Sequence, residues 1–216
     1  MDSIELGVVS LGNRTRAYSG ALVILESMRE VEKGMEHDIL TGQEDNFMVD
    51  VRDGKKYRIV QLGPRIVMAE NLAYKCPSGS YWTYMDRESN AAKYGYLYSW
   101  ESAKIVAPVG WHLPTTAEWS NLFSDAIPSS LPGNEARALR RTLIARFNPL
   151  FGGWRFSDGT YHGMGEGVHF WECVADGSIY DGTHYFDADQ NSNYSLGRSL
   201  AGLVRTWGCS IRLFKD

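Results

Sequence analysis

The chain has 216 residues, enough for one domain with an added piece or for two small domains. Its 44% hydrophobic and 22% charged content is that of an ordinary globular protein. The net charge of -4, with no stripe of Lys or Arg, argues against nucleic acid and anionic membranes as partners, because both call for a basic face.

In chain order, Met1–Gly12 lacks a charged start followed by an apolar stretch, and no segment reaches about 18 consecutive apolar residues. Neither a signal peptide nor a membrane span is expected. Residues 1–49 contain no Trp and no Pro and differ in texture from the rest. Ile4–Leu11 reads as a strand. Ala21–Leu25 is a strand or the start of a helix running to Glu32. This region is read as an appended element, through which the chain could oligomerise.

Met48–Val51 leads into Asp53-Gly54, a tight-turn pair. Lys56–Leu62 alternates as a half-buried strand does, Gly63-Pro64 turns, and Ile66–Ala69 is the returning strand. Tyr94–Trp100 runs into a short helical patch at Glu101–Lys104. Thr115 and Glu118 stand three apart as in a capping box, which predicts a helix from there to about Phe123. Residues 135–146 predict a second helix. Short strands follow at Gly152–Phe156, His169–Cys173 and His184–Asp187, with a turn at Asp176-Gly177. Trp207–Phe214 closes the chain, with Cys209, Ile211 and Leu213 on one face and Ser210 and Arg212 on the other. A few helices followed by many short strands predict an α+β fold with an antiparallel sheet.

Chemistry-bearing residues are few. Cys76, Cys173 and Cys209 form no disulfide framework and no CxxC pair. His112 is read as a hydrogen-bonded structural residue, and Trp111 and Trp119 as core. His162, Glu166 and His169 match no zinc spacing, and their Gly-rich setting reads as an irregular loop before a strand. The Asp- and Asn-rich stretch after Asp187 fails as an EF-hand, because its position 6 is Ser192 and its position 12 is Arg198. No metal and no cofactor are expected.

Residues 172–207 carry the best candidate binding face. They set Tyr180, Tyr185, Tyr194 and Trp207 among Glu172, Asp176, His184, Asp187, Asp189, Asn191, Asn193, Arg198 and Arg205. Rigid aromatics among small polar groups are the composition of an adaptable binding surface. No catalytic residue is expected, and the ligand is read as a protein or a glycan on a cell or particle surface.

Seven blocks stand in one order: Asp53–Tyr57, Met68–Leu72, Tyr94–Trp100, Gly110–Pro114, Glu118-Trp119, Phe170-Trp171 and Gly208–Arg212. Together they resemble the Fibrobacter succinogenes major paralogous domain over about residues 50–216, and none of residues 1–49. The resemblance implies a C-type-lectin-like fold with paired N- and C-terminal strands, two helices and a small twisted sheet. That fold is shared with formylglycine-generating enzymes and with the variable proteins of diversity-generating retroelements. The second likeness points to a viral or phage receptor-binding or adhesin role. The alternatives are a structural module of a bacterial surface or secreted assembly, and an oxidase like the formylglycine-generating enzymes. The family's cysteine pairs are replaced here, at Ala107 and Leu213, and Cys209 stands where Phe is usual. Chains without those bridges do not depend on an oxidising compartment, so a virion or cytoplasmic location is expected ahead of the cell surface.

Overall fold

The computed structural model describes residues 46–173, 182–188, 194–200 and 206–216. The strand at Ile4–Leu11, the apolar run at Ala21–Leu25, the turn at Asp176-Gly177 and the appended element up to residue 45 lie outside them. The fold is α+β.

The first sheet has the order β1 (Phe47–Val49), β2 (Lys56–Leu62), β3 (Arg65–Met68), β12 (Phe214–Lys215), β6 (Trp111–His112). β1 pairs with β2, so residues 47–49 belong to this sheet. β2 forms where expected, but it buries residues on both faces: Val60 and Leu62 on one, and Tyr57 on the other, each in a different apolar cluster. Gly63 turns the chain into β3 with a φ of 58°, a conformation open to glycine without steric cost. β12 then joins β3, which brings the end of the chain back beside its first hairpin.

A small pair, β4 (Tyr81–Trp82) and β5 (Leu97–Tyr98), flanks α1 (Glu88–Tyr94). α2 (Trp100–Ala103) follows directly, capped by Ser99. α3 (Thr116–Asn121) opens on the expected capping box. Thr115 accepts from the Glu118 amide at 3.2 Å, and Glu118 accepts from the Thr115 amide at 2.8 Å. α4 (Gly133–Phe147) ends where Asn148 turns left-handed, with φ 53°.

The second sheet has the order β11 (Tyr194–Leu200), β10 (Gly182–Ala188), β9 (Gly167–Glu172), β7 (Gly152–Arg155), β8 (Tyr161–Met164). Two of its strands depart from the sequence reading. Tyr161–Met164 is not irregular loop but a strand paired antiparallel to β7. Its Gly163 disguised it: a side chain there would strike the Trp154 ring, at 2.2 Å from Cβ to Cζ3. β11 was not foreseen, and it completes the edge beside β10.

Two apolar clusters fill the interior. One gathers Met68, Leu72, Tyr98, Trp100, Trp171, Ile211 and Leu213. The other gathers Leu62, Trp119, Leu122, Phe147, Phe170, Phe186 and Phe214. Trp119 is buried as expected, whereas Trp111 is only half-buried. The segment 207–214 runs between the clusters and is buried on both faces from Gly208 onward. It is regular only in part, making isolated bridges to Tyr98, Arg155 and Phe170.

Arg212 is fully buried in this segment. Its guanidinium donates to Asn71 Oδ1 at 2.7 Å, to the carbonyls of Met68 and Phe147 at 3.0 and 2.9 Å, and to that of Asn148 at 2.7 Å. The same group lies over the Phe147 and Phe170 rings, at 4.8 and 5.4 Å. Asn71 in turn donates to Tyr94 O and Leu150 O. Two of the sequence blocks, Met68–Leu72 and Gly208–Arg212, therefore meet as one polar staple in an apolar interior.

Candidate functional site

Register divides the predicted site between the two faces of β9–β10–β11. His184 lies opposite Phe170 and Arg198, while Tyr185 lies opposite His169 and Gly197. Successive side chains on a strand point to opposite faces. Glu172, His184 and Arg198 therefore share the face that meets the second apolar cluster, while on the opposite face Trp171 is buried in the first. Tyr185 and Asp187 point the other way.

On the core face the Glu172 carboxylate is fully buried between two partners. Its Oε2 lies 2.6 Å from His184 Nδ1, and its Oε1 accepts from Arg198 Nε. Burial alone would raise the Glu172 pKa. The hydrogen bonds from His184 and Arg198 outweigh it and hold the carboxyl below its usual range. The His184 ring stacks on Trp119 at 5.6 Å, and Trp119 stacks on Phe170 at 5.3 Å. These residues tie three adjacent strands together, and both Glu172 and His184 are out of reach of a ligand.

The opposite face is a run of rings. His169 sits at its centre, buried, with Nδ1 2.9 Å from Thr183 Oγ1. Burial lowers its pKa to about 4, so it is neutral at physiological pH. Trp154, Trp207 and Tyr185 surround it, with centroids at 4.6, 5.6 and 5.8 Å. Phe156 joins Trp207 at 4.7 Å and His162 at 4.6 Å. Trp154, Phe156, Tyr185 and Trp207 are each half-buried, and His162 is exposed. Tyr185 lies flat on its neighbour because position 197 is glycine: a Cβ there would fall 2.4 Å from the phenol oxygen.

Two polar groups on these residues lack a protein partner among the described residues. The Trp154 indole N–H is buried and has no hydrogen-bond partner among the described residues. Asp187 is half-buried, and burial raises its pKa with no opposing partner among the described residues. Buried or half-buried polar groups are normally paired, so such exceptions call for an explanation.

Of the thirteen residues predicted from sequence, the structure thus puts Glu172, His184 and Arg198 together inside, and Tyr185, Asp187 and Trp207 on the ring-bearing face. Tyr194 opens β11 opposite Ala188, and its side chain is outside the described residues. Asp176, Tyr180, Asp189, Asn191, Asn193 and Arg205 also lie outside them. Trp154, Phe156, His162 and His169 were missed as members of this face. The one sequence signal for them was the Trp154–Phe156 alternation, which lies before residue 172.

The other chemistry-bearing residues are accounted for by packing. His112 lies between Asp216 Oδ1, at 2.7 Å, and Glu118 Oε1, at 3.0 Å. Burial opposes its protonation, but the two carboxylates outweigh that and raise its pKa. Cys173 donates to Leu113 O, and burial pushes up both the Cys173 and Cys209 thiols. Among the described residues, no three His, Cys, Asp or Glu side chains converge as a metal set. No described helix is long and apolar enough to cross a membrane. A separate cavity of about 410 Å³ is lined by Lys55, Lys56, Glu70, Glu88 and Tyr96. Its Glu88 is already held by Tyr96 at 2.8 Å and Lys75 at 3.2 Å.

These features define an α+β domain whose sequence blocks build its interior and whose second sheet turns an aromatic face outward. The Fibrobacter succinogenes major domain matches residues 46–215, and the chain belongs to that family. No curated protein and no solved structure matches it.

Proposed function

We propose that the protein is a non-catalytic ligand-binding module of C-type-lectin-like fold that binds a protein or glycan through the outer face of β9–β11. The observation that carries this reading is the run Trp154, Phe156, His162, Tyr185 and Trp207, with Asp187 beside it lacking a partner among the described residues. Half-buried aromatics offer large contact area at low entropic cost. Convergent polar groups without partners are what a ligand would satisfy. The lectin-like reading draws on the return of β12 to the β2–β3 hairpin and on the small separate sheet. Against an oxidase, the raised thiol pKa values of Cys173 and Cys209 disfavour the thiolate that such chemistry needs.

The test is a binding screen of the full chain against cell-surface glycans and proteins, alongside a Tyr185→Ala/Trp207→Ala variant with unchanged circular dichroism. Loss of binding in the folded variant is expected, and full retention refutes the face. The finer reading, a variable receptor-binding protein of a retroelement system, is tested in the genome. It requires a neighbouring reverse transcriptase and a near-copy of the 3′ coding segment that differs at adenines.

A further inference from the structure

We propose that the occupant of this face is a basic segment of a partner protein, whose Arg or Lys side chain stacks on Tyr185 and Trp207 and pairs with Asp187. The inference rests on the binding face proposed above and names its ligand. Three observations carry it.

First, among the described residues the charge on the face is of one sign. Asp187 borders it on β10, and Glu166 sits in the turn that leads into Gly167, the residue opposite Asp187. Asp158 borders it at the other end, linked through Thr160 to His162 by contacts of 2.7 and 3.0 Å. His169, at the centre, is held neutral by burial. Second, Asp187 differs from the other two carboxylates. Both Asp158 and Glu166 are exposed to water, whereas Asp187 is half-buried without a partner among the described residues. A cation is the group that satisfies such a carboxylate. Third, Tyr185 and Trp207 stand with Trp154 around His169. Tyr and Trp are ring types whose faces attract ammonium and guanidinium groups. Tyr185 and Asp187 lie two residues apart on one strand, so roughly 7 Å separates their backbones. One long basic side chain spans that distance.

The shape of the site selects a protein over a small cation. The rings pack against one another, Phe156 and His169 edge to face with Trp207 at 67° and 80°, and Trp154 stacked on His162 at 22°. They pave a sheet rather than close a cage. Small ligands favour concave pockets, whereas an open aromatic surface suits a protein segment with a few anchoring side chains.

The test uses the full chain and four peptides: hexa-arginine, hexalysine, hexalysine acetylated on every side chain, and hexaglutamate. Binding is read by calorimetry and tryptophan fluorescence. Both basic peptides are expected to bind, and acetylation to weaken hexalysine at least tenfold. Asp187→Asn is expected to weaken the basic peptides roughly five- to tenfold. Glu135→Gln, an identical charge change at an exposed site on α4, outside the face, is expected to alter binding less than about twofold. Equal losses in the two variants, undiminished binding of the acetylated peptide, or no binding of either basic peptide would each overturn the proposal. A ligand from the wider screen that is lost in Tyr185→Ala/Trp207→Ala but indifferent to Asp187→Asn would leave the binding face standing and remove the cation. Binding of any ligand that ignores all these variants would remove the face itself.

Discussion

Replacing Arg212 by Met tests whether the polar staple holds the fold. Met keeps much of the volume between Phe147 and Phe170 but removes every donor. Four acceptors then lose a partner: Asn71 Oδ1 and the carbonyls of Met68, Phe147 and Asn148. A buried acceptor left unpaired costs about 1–3 kcal/mol. At the low end, four of them cost about 4 kcal/mol, against a total of about 5–15 kcal/mol for a typical domain. The opposing argument is that burying a guanidinium is itself expensive, and apolar replacement of a whole buried ionic group is often neutral. Here burial does press the Arg212 pKa well below its usual value. But the Met variant replaces one side only, and backbone carbonyls cannot be mutated away. Urea unfolding of the full chain is therefore expected to show a loss of about 4 kcal/mol at an unchanged m value. Arg212→Lys keeps up to three donors and should lose roughly half as much. A Met variant within about 1 kcal/mol of the parent would show that the staple does not hold the fold.

Thr115→Ala removes one half of the capping box and is expected to cost about 1 kcal/mol, seen as a lower urea midpoint. His169 has a folded pKa of about 4 against an ordinary 6.5. The unfolded chain therefore binds more protons between these values, so the stability His169 contributes is full above 6.5 and is lost as pH falls towards 4. The loss amounts to at most about 3 kcal/mol. Glu172 acts in the same sense, but only below its unfolded value of 4.5. His169→Gln should therefore flatten the stability profile between pH 5 and 6.5, and an unchanged slope there would contradict the assignment. Cys76, Cys173 and Cys209 are all free thiols. The melting temperature is expected to be the same with and without dithiothreitol, and Cys173, which is only partly buried, to react first with an alkylating agent.

What could be read from the sequence was set by local physics. The β2 strand, the Thr115–Glu118 box and the α4 segment each carry their signal within a few residues, and each formed where expected, although β2 buries residues on both of its faces. β8 and β11 carry no such signal. Gly163 and Gly197 weaken both as strand sequences, and their reason for being glycine is a ring arriving from another strand, Trp154 and Tyr185 respectively. The candidate site failed in a related way. Residues 172–207 have the composition of a binding surface, but composition does not report which face a residue takes. A shift of one position, from His184 to Tyr185, separates a buried strut from a surface ring.

That separation is also what makes a binding role physically workable. A ring offered to a ligand must be held still beforehand, or ordering it on binding costs affinity. Tyr185 has no hydrogen-bond partner among the described residues to hold it. Its strand is fixed from behind instead, by Glu172 reaching His184 on β10 and Arg198 on β11. Trp207 is fixed similarly, because the residues that follow it run through the interior to Arg212. A buried, hydrogen-bonded carboxylate thus stands behind the strand that carries the half-buried Tyr185. A substitution at Glu172 should consequently weaken ligand binding without touching the ligand, by loosening the strand that carries Tyr185 and Asp187.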